Sequence, residues 1–167
     1  MAKRSAGGGV EIGSVQIEAE HQLNGFLAKF TPEIEKQARA CLKKMRARLP
    51  GAFELVYDNY NALAIGFSPS EKPLEGIFSI VLYPRWVSLF FLQGAKLADP
   101  QKVLKGNGSV VRHIVLTAAT DLDRPEIRDL MDRARMDAKK DINPKGGGRL
   151  IVKSVAAKQR PRRPLKA

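Results

Sequence analysis

Residues 77–94 read Ile-Phe-Ser-Ile-Val-Leu-Tyr-Pro-Arg-Trp-Val-Ser-Leu-Phe-Phe-Leu-Gln-Gly. Nearly every position is β-branched, aromatic or aliphatic, and Pro84-Arg85 breaks the run in its middle. The stretch reads as two strands at the centre of an antiparallel sheet, joined by a tight turn. Apolar side chains at successive positions leave both faces of these strands needing cover. Helices from either end of the chain are expected to supply it.

The flanking segments carry that pattern. Leu23, Phe26, Leu27 and Phe30 fall at i, i+3, i+4 and i+7, which predicts a helix from about Val15 to Phe30, weakened by Gly25. Thr31 then stands as an N-cap before Pro32, and Ile34, Ala38, Cys41, Leu42, Met45 and Leu49 form the apolar stripe of a second helix. Pro50-Gly51 ends it. Phe53, Leu55 and Tyr57 alternate with Glu54, Val56 and Asp58, and after a turn at residues 58–61 Leu63, Ile65 and Phe67 alternate with the small Ala62, Ala64 and Gly66. That small face suits either a closely packed element or a ligand. Beyond Gly94 a connection with a Gly106-Asn107-Gly108 corner is expected to cross the sheet, leading to a fifth strand at 110–116.

A third helix is expected near Asp123, where Asp123 and Glu126 have capping-box spacing around Pro125, with Ile127, Leu130, Met131, Ala134 and Ala138 as its apolar face. Residues 149–155 have strand composition. The fold class is therefore α+β: a single domain with an antiparallel sheet of about five strands, packed by two N-terminal helices and one C-terminal helix. Residues 1–14, rich in glycine and without periodicity, are expected to be disordered; 15–143 form the domain; 144–167 form a basic tail, and if its strand at 149–155 adds to a sheet edge only Lys158 onward is free. No apolar run is long enough to span a bilayer and no signal peptide is evident, so no membrane association and a cytoplasmic location are expected. A single cysteine, Cys41, fits a reducing compartment and reads as a core residue.

Leu49-Pro50-Gly51-Ala52, Tyr57-Asp58-Asn59-Tyr60-Asn61, Tyr83-Pro84-Arg85-Trp86-Val87, Gly94, Asp99-Pro100, Gly106, Gly108 and Val111-Arg112-His113-Ile114 occur in order along the chain. This set resembles the YdhG-like family, domain-of-unknown-function family 1801, over about residues 17–140. The resemblance extends to the ending from Arg149 to Arg163. It implies a small bacterial α/β domain in the cytosol, with no established reaction for most members. One branch of the family is linked to iron delivery in the manner of frataxin. That role relies on clustered carboxylates, whereas this chain carries a net charge of +12, so the iron role is not carried over.

Polar groups collect at the strand turns. Tyr57, Asp58, Tyr60 and Asn61 lie at the first, Tyr83, Arg85 and Trp86 at the second, and Arg112 and His113 open the fifth strand. These nine residues make the candidate pocket, and its two arginines suit a small polar or anionic ligand. Each also has a structural reading. Asp58 and Asn61 fit turn hydrogen bonds, the tyrosines fit the core edge, and Arg112 fits an ion pair with a carboxylate such as Asp58 or Asp99. His113 is a residue type suited to proton transfer, but no nucleophile or carboxylate stands at a defined spacing from it, and no residue is assigned a catalytic role. His21, His113 and Cys41 lack metal-ligand spacing, and the glycine corner matches neither a P-loop nor a dinucleotide fingerprint, so neither a metal nor a cofactor is expected.

Residues 141–167 hold eight basic residues and one acidic, which accounts for +7 of the net charge. Lys158, Arg160, Arg162, Arg163 and Lys166, interspersed with Pro161 and Pro164, make an extended arm. It reads either as a solvated end or as a non-specific contact to the phosphates of nucleic acid. Trp86, Phe90 and Phe91 read as core or pocket lining. A base-stacking platform requires aromatic rings that face solvent and are flanked by basic side chains.

Overall fold

The computed structural model describes residues 7–165. Helices α1 (Gly7–Ala28) and α2 (Pro32–Arg48) lead into strands β1 (Phe53–Asp58), β2 (Leu63–Ser68), β3 (Phe78–Leu82), β4 (Val87–Phe91) and β5 (Arg112–Leu116). Helix α3 (Pro125–Asp137) and strand β6 (Leu150–Val155) complete the domain. The chain is a single α+β domain with one six-stranded sheet in the order β5-β4-β3-β2-β1-β6. Five strands are antiparallel neighbours in sequence order. The sixth lies parallel to β1, so the sheet is mixed and larger than the expected five strands.

Local chemistry places the elements as expected at several points. Thr31 caps α2 by accepting from the Ile34 amide at 3.3 Å. The β3–β4 turn is a two-residue loop closed by Tyr83 N–H donating to the Trp86 carbonyl at 2.9 Å. Two local expectations fail. The helix begins at Gly7, so the expected disorder of 1–14 is corrected from that residue on, and residues 1–6 lie outside the described part. Asp123 does not cap α3. It ends a 3₁₀ turn and instead pairs with Arg48 at 3.2 Å, with Arg128 and with Lys44.

The core lies on one face of the sheet. Val56, Ile65, Ile80, Leu89 and Ile114 share one register row and join the buried stripes of all three helices in a single apolar cluster. The other face carries no helix. There Leu55, Gly66, Ser79, Phe90 and His113 share a row, and Tyr57, Ala64, Val81, Ser88 and Val115 share the next. Val115 is 47% exposed, and Tyr57, Ala64, Phe90 and His113 are half-buried. The expectation that helices cover both faces is therefore wrong, and the small residues Ala64 and Gly66 face this helix-free side, on which Leu55, Ser79, Val81 and Ser88 are nonetheless buried. The 94–108 connection does not cross the sheet either. It runs along the outer edge of β5, where Lys105 and His113 exchange backbone hydrogen bonds at 2.7 and 3.0 Å, and this blunts an otherwise open edge.

Strand β6 reaches β1 through a close backbone crossing. Gly51 has φ +82°, and a Cβ there would fall on the Asn143 carbonyl; a Cβ at Gly148 would fall on the carbonyls of Gly51 and Ala52. Both positions need glycine for the α3–β6 connection to pass over the α2–β1 link. Gly25, mid-helix and exposed, meets nothing within 4 Å. In urea denaturation, Gly51→Ala is expected to lower stability by about 3 kcal/mol, whereas Gly25→Ala raises it by about 0.5–1 kcal/mol.

Candidate functional site

The strand directions sort the candidate residues. The β1–β2 and β3–β4 turns lie at the same end of the sheet, because consecutive antiparallel strands alternate in direction. Strand β5 pairs Leu116 with Val87 at that end and Arg112 with Phe91 at the other. Arg112 and His113 are thus three to four residues down the strand from the turns, about 10–13 Å. The structure divides the nine-residue pocket into two groups. Arg112 donates to the carbonyls of Gly108 and Val111 and makes no carboxylate pair, while Asp99 accepts from the Val103 and Leu104 amides at 3.0 and 2.9 Å. His113 stacks on Phe90, ring centres 5.2 Å apart. Among the described residues no carboxylate lies within ion-pair distance of it.

At the turn end the structure adds an unexpected partner. Parallel β6 delivers the chain to the same end as the turns, and the segment after it packs across them. Ala156 N–H donates to the Asp58 carbonyl at 2.8 Å and Arg160 N–H to the Tyr60 carbonyl at 2.9 Å. Gln159 also donates to the Asp58 carbonyl, at 3.1 Å. Arg162 then inserts its guanidinium beneath the β1–β2 turn. Its Nη2 donates to Asp58 Oδ1 at 2.8 Å and to the Asn59 carbonyl, and its guanidinium carbon sits 5.8 Å from the centre of the Phe30 ring. Asp58 is fully buried and Arg162 is 5% exposed. Lys29, half-exposed, faces the other carboxylate oxygen at 3.6 Å. Arg163 Nε donates to the Lys29 carbonyl at the end of α1, at 3.3 Å.

This corrects the tail. Residues up to 165 are held against the domain, not free from Lys158 onward, and Arg162 is a buried structural group, not an exposed phosphate contact. Lys158 is exposed, and Lys166 lies outside the described residues. Asp58 belongs to that buried pair, and Tyr57 lies on the helix-free face, where burial raises its hydroxyl pKa above the usual value.

Between the docked segment and the β3–β4 turn runs an open groove of about 700 Å³. Asn61, Tyr83, Arg85 and Trp86 line it from the sheet, and Arg160 and Arg163 line it from the tail. The seven candidate residues from the turns and the five from the arm were separate groups in the sequence; four of the first and two of the second line one groove. Trp86 is 41% exposed and stacks on Tyr83, ring centres 4.8 Å apart and planes 24° apart. Arg160 lies over the ring of Tyr60, which is 44% exposed, at 5.5 Å. Of the two readings of these rings, core or pocket lining, Trp86 takes the second; Phe90 is half-buried, and Phe91 is fully buried, edge-on to Phe78. Among the described residues no carboxylate lies within 4 Å of Arg85, Arg160 or Arg163.

Other features offer less. A second cavity of about 290 Å³ lies at the opposite end, lined by Ile77, Phe91, Leu97, Ala134 and Ala138 with lysines at its rim. Burial pushes the Cys41 thiol up to about 11, so it is no nucleophile near neutral pH. No group of three or more His, Cys, Asp or Glu among the described residues is arranged to hold a metal ion, and no described helix is long and apolar enough to cross a membrane. Comparison with protein-family models, curated proteins and solved structures returns no match.

The buried pair makes a direct stability prediction. Removing one partner leaves the other charge buried, so Arg162→Met or Asp58→Asn is expected to cost about 3–5 kcal/mol in chemical denaturation, and the Asp58→Leu/Arg162→Met double variant to recover most of it. The single variants, by releasing the segment from the turn, are also expected to speed trypsin cleavage after Lys158.

Proposed function

We propose that the chain is a non-enzymatic binding module for a small polar or anionic ligand, held in the groove between the β3–β4 turn and the docked C-terminal segment. One observation carries this reading: three guanidinium groups, those of Arg85, Arg160 and Arg163, line one groove with no carboxylate to neutralise them among the described residues. Side chains of like charge repel, so bringing three together costs free energy that a bound anion returns. Guanidinium groups also match phosphate and carboxylate oxygens in paired hydrogen bonds. Membership of the YdhG-like family, proposed from the ordered motifs, agrees with a domain that binds without catalysing.

Titration calorimetry with inorganic tripolyphosphate as the probe tests the reading. Arg85→Ala/Arg160→Ala is expected to weaken binding about 10- to 100-fold, at about 1.5–3 kcal/mol for hydrogen bonds to charged groups. Arg112→Ala, at the far end of the sheet, leaves it unchanged. Equal affinity in the double variant and the parent chain would remove the groove as the site.

A further inference from the structure

We infer that the groove takes single-stranded nucleic acid, with a base stacked at Trp86 and the flanking phosphates held by Arg85, Arg160 and Arg163. This rests on the anion-binding reading above and goes beyond it by naming the ligand class. Two requirements distinguish a stacking platform from ordinary core aromatics: rings that face solvent, and basic side chains beside them. The groove meets both. Trp86 and Tyr60 are 41% and 44% exposed, whereas Phe30, Phe67, Phe78 and Phe91 are buried in the core. Arg85 precedes Trp86 in the same turn, and Arg160 covers Tyr60.

The geometry also prepares the ring for a ligand. Tyr83 backs the indole at 4.8 Å, nearly parallel, and the two-residue turn between them is closed by a backbone hydrogen bond. An indole held in place loses little rotational freedom when a base stacks on it. The guanidinium of Arg160, lying over Tyr60, adds a second flat cationic surface on which bases stack.

Single strands fit better than duplexes for a physical reason. A duplex hides its base faces in its own stack and offers only groove edges, which proteins read with a helix or a β-ribbon inserted into the groove. Here the site is a concave trough between a turn and an extended segment, and no helix projects from it. A trough with cations along it and aromatic rings in its wall suits an unpaired strand whose bases are free to turn outward. Stacking on a ring face is tolerant of sequence, because every base has a π-face.

Trp86 is the only tryptophan, so its intrinsic fluorescence reports on this site alone. The full chain is titrated with ten-nucleotide oligothymidylate, a ten-base-pair duplex, thymidine monophosphate and inorganic polyphosphate of charge equal to the single strand. The inference expects the single strand to quench Trp86 and to bind more tightly than the other three. Trp86→Leu, at an exposed position where folding is checked by circular dichroism, is expected to weaken binding of a labelled strand about 5- to 150-fold, and Trp86→Phe to restore much of it. The log–log salt slope is expected near −2 for three phosphates at about −0.7 each, falling by about 0.7 in Arg85→Ala. If polyphosphate binds as tightly as the strand without quenching, the inference fails and the anion reading stands. A tighter duplex, or thymidine monophosphate as tight as the strand, also overturns it. If no probe binds, both readings fail.

Discussion

Asp58 ends strand β1 on the face that packs against the helices, where a carboxylate has no access to water. A charge in that position must be paired, and the partner comes from 104 residues further along the chain, the guanidinium of Arg162. An ion pair of this kind adds little net stability compared with apolar groups of the same shape, but it is costly to break. Its effect here is to specify one arrangement. The segment from Ala156 to Leu165 has to lie across the β1–β2 turn for Arg162 to reach Asp58. Once it lies there, Arg160 and Arg163 stand opposite Arg85 and Trp86 with a groove between them.

That arrangement depends on the direction of β6. An antiparallel sixth strand would send the tail away from the turns and leave Asp58 with only the half-exposed Lys29 as a partner. The parallel register with β1 brings the chain out at the turn end, and the glycines at positions 51 and 148 let the preceding connection pass closely enough for that register to form. The helix-free face contributes the other half of the site. Residues 82 and 87 both point toward the core, so the tight turn between them sets Tyr83 and Trp86 toward the opposite side, next to solvent.

Much of the fold was legible because it is written in local periodicities. The stripe from Ile34 to Leu49, the Thr31 cap and the alternation from Phe53 to Phe67 each declare an element within a few residues. The tail was not legible, because nothing local distinguishes Arg162 from Arg160 or Arg163; the one that inserts is decided by the register of β6 and the distance to Asp58. Trp86 and Phe90 were read as core or pocket lining, and the core half of that reading rested on the assumption that helices cover both faces of the central strands. Ala64, Gly66, Ser79 and Ser88, small or polar on adjacent strands of one face, were the signal that one side lacks such cover. Asn61, Tyr83 and Arg85 come together because two turns at one end of an antiparallel sheet are neighbours; Arg112 and His113 stay apart from them because their strand enters from the other end.

The central claim is that the C-terminal segment is part of the domain and forms one wall of the groove. Amide hydrogen exchange of the full chain tests it most directly, at Ala156 and Arg160, whose N–H groups donate to the carbonyls of Asp58 and Tyr60. The account predicts that both amides are protected together, and that both lose protection in Arg162→Met. Exchange at the rate of an unstructured chain in the unsubstituted protein would mean that the tail is free, and would contradict the account.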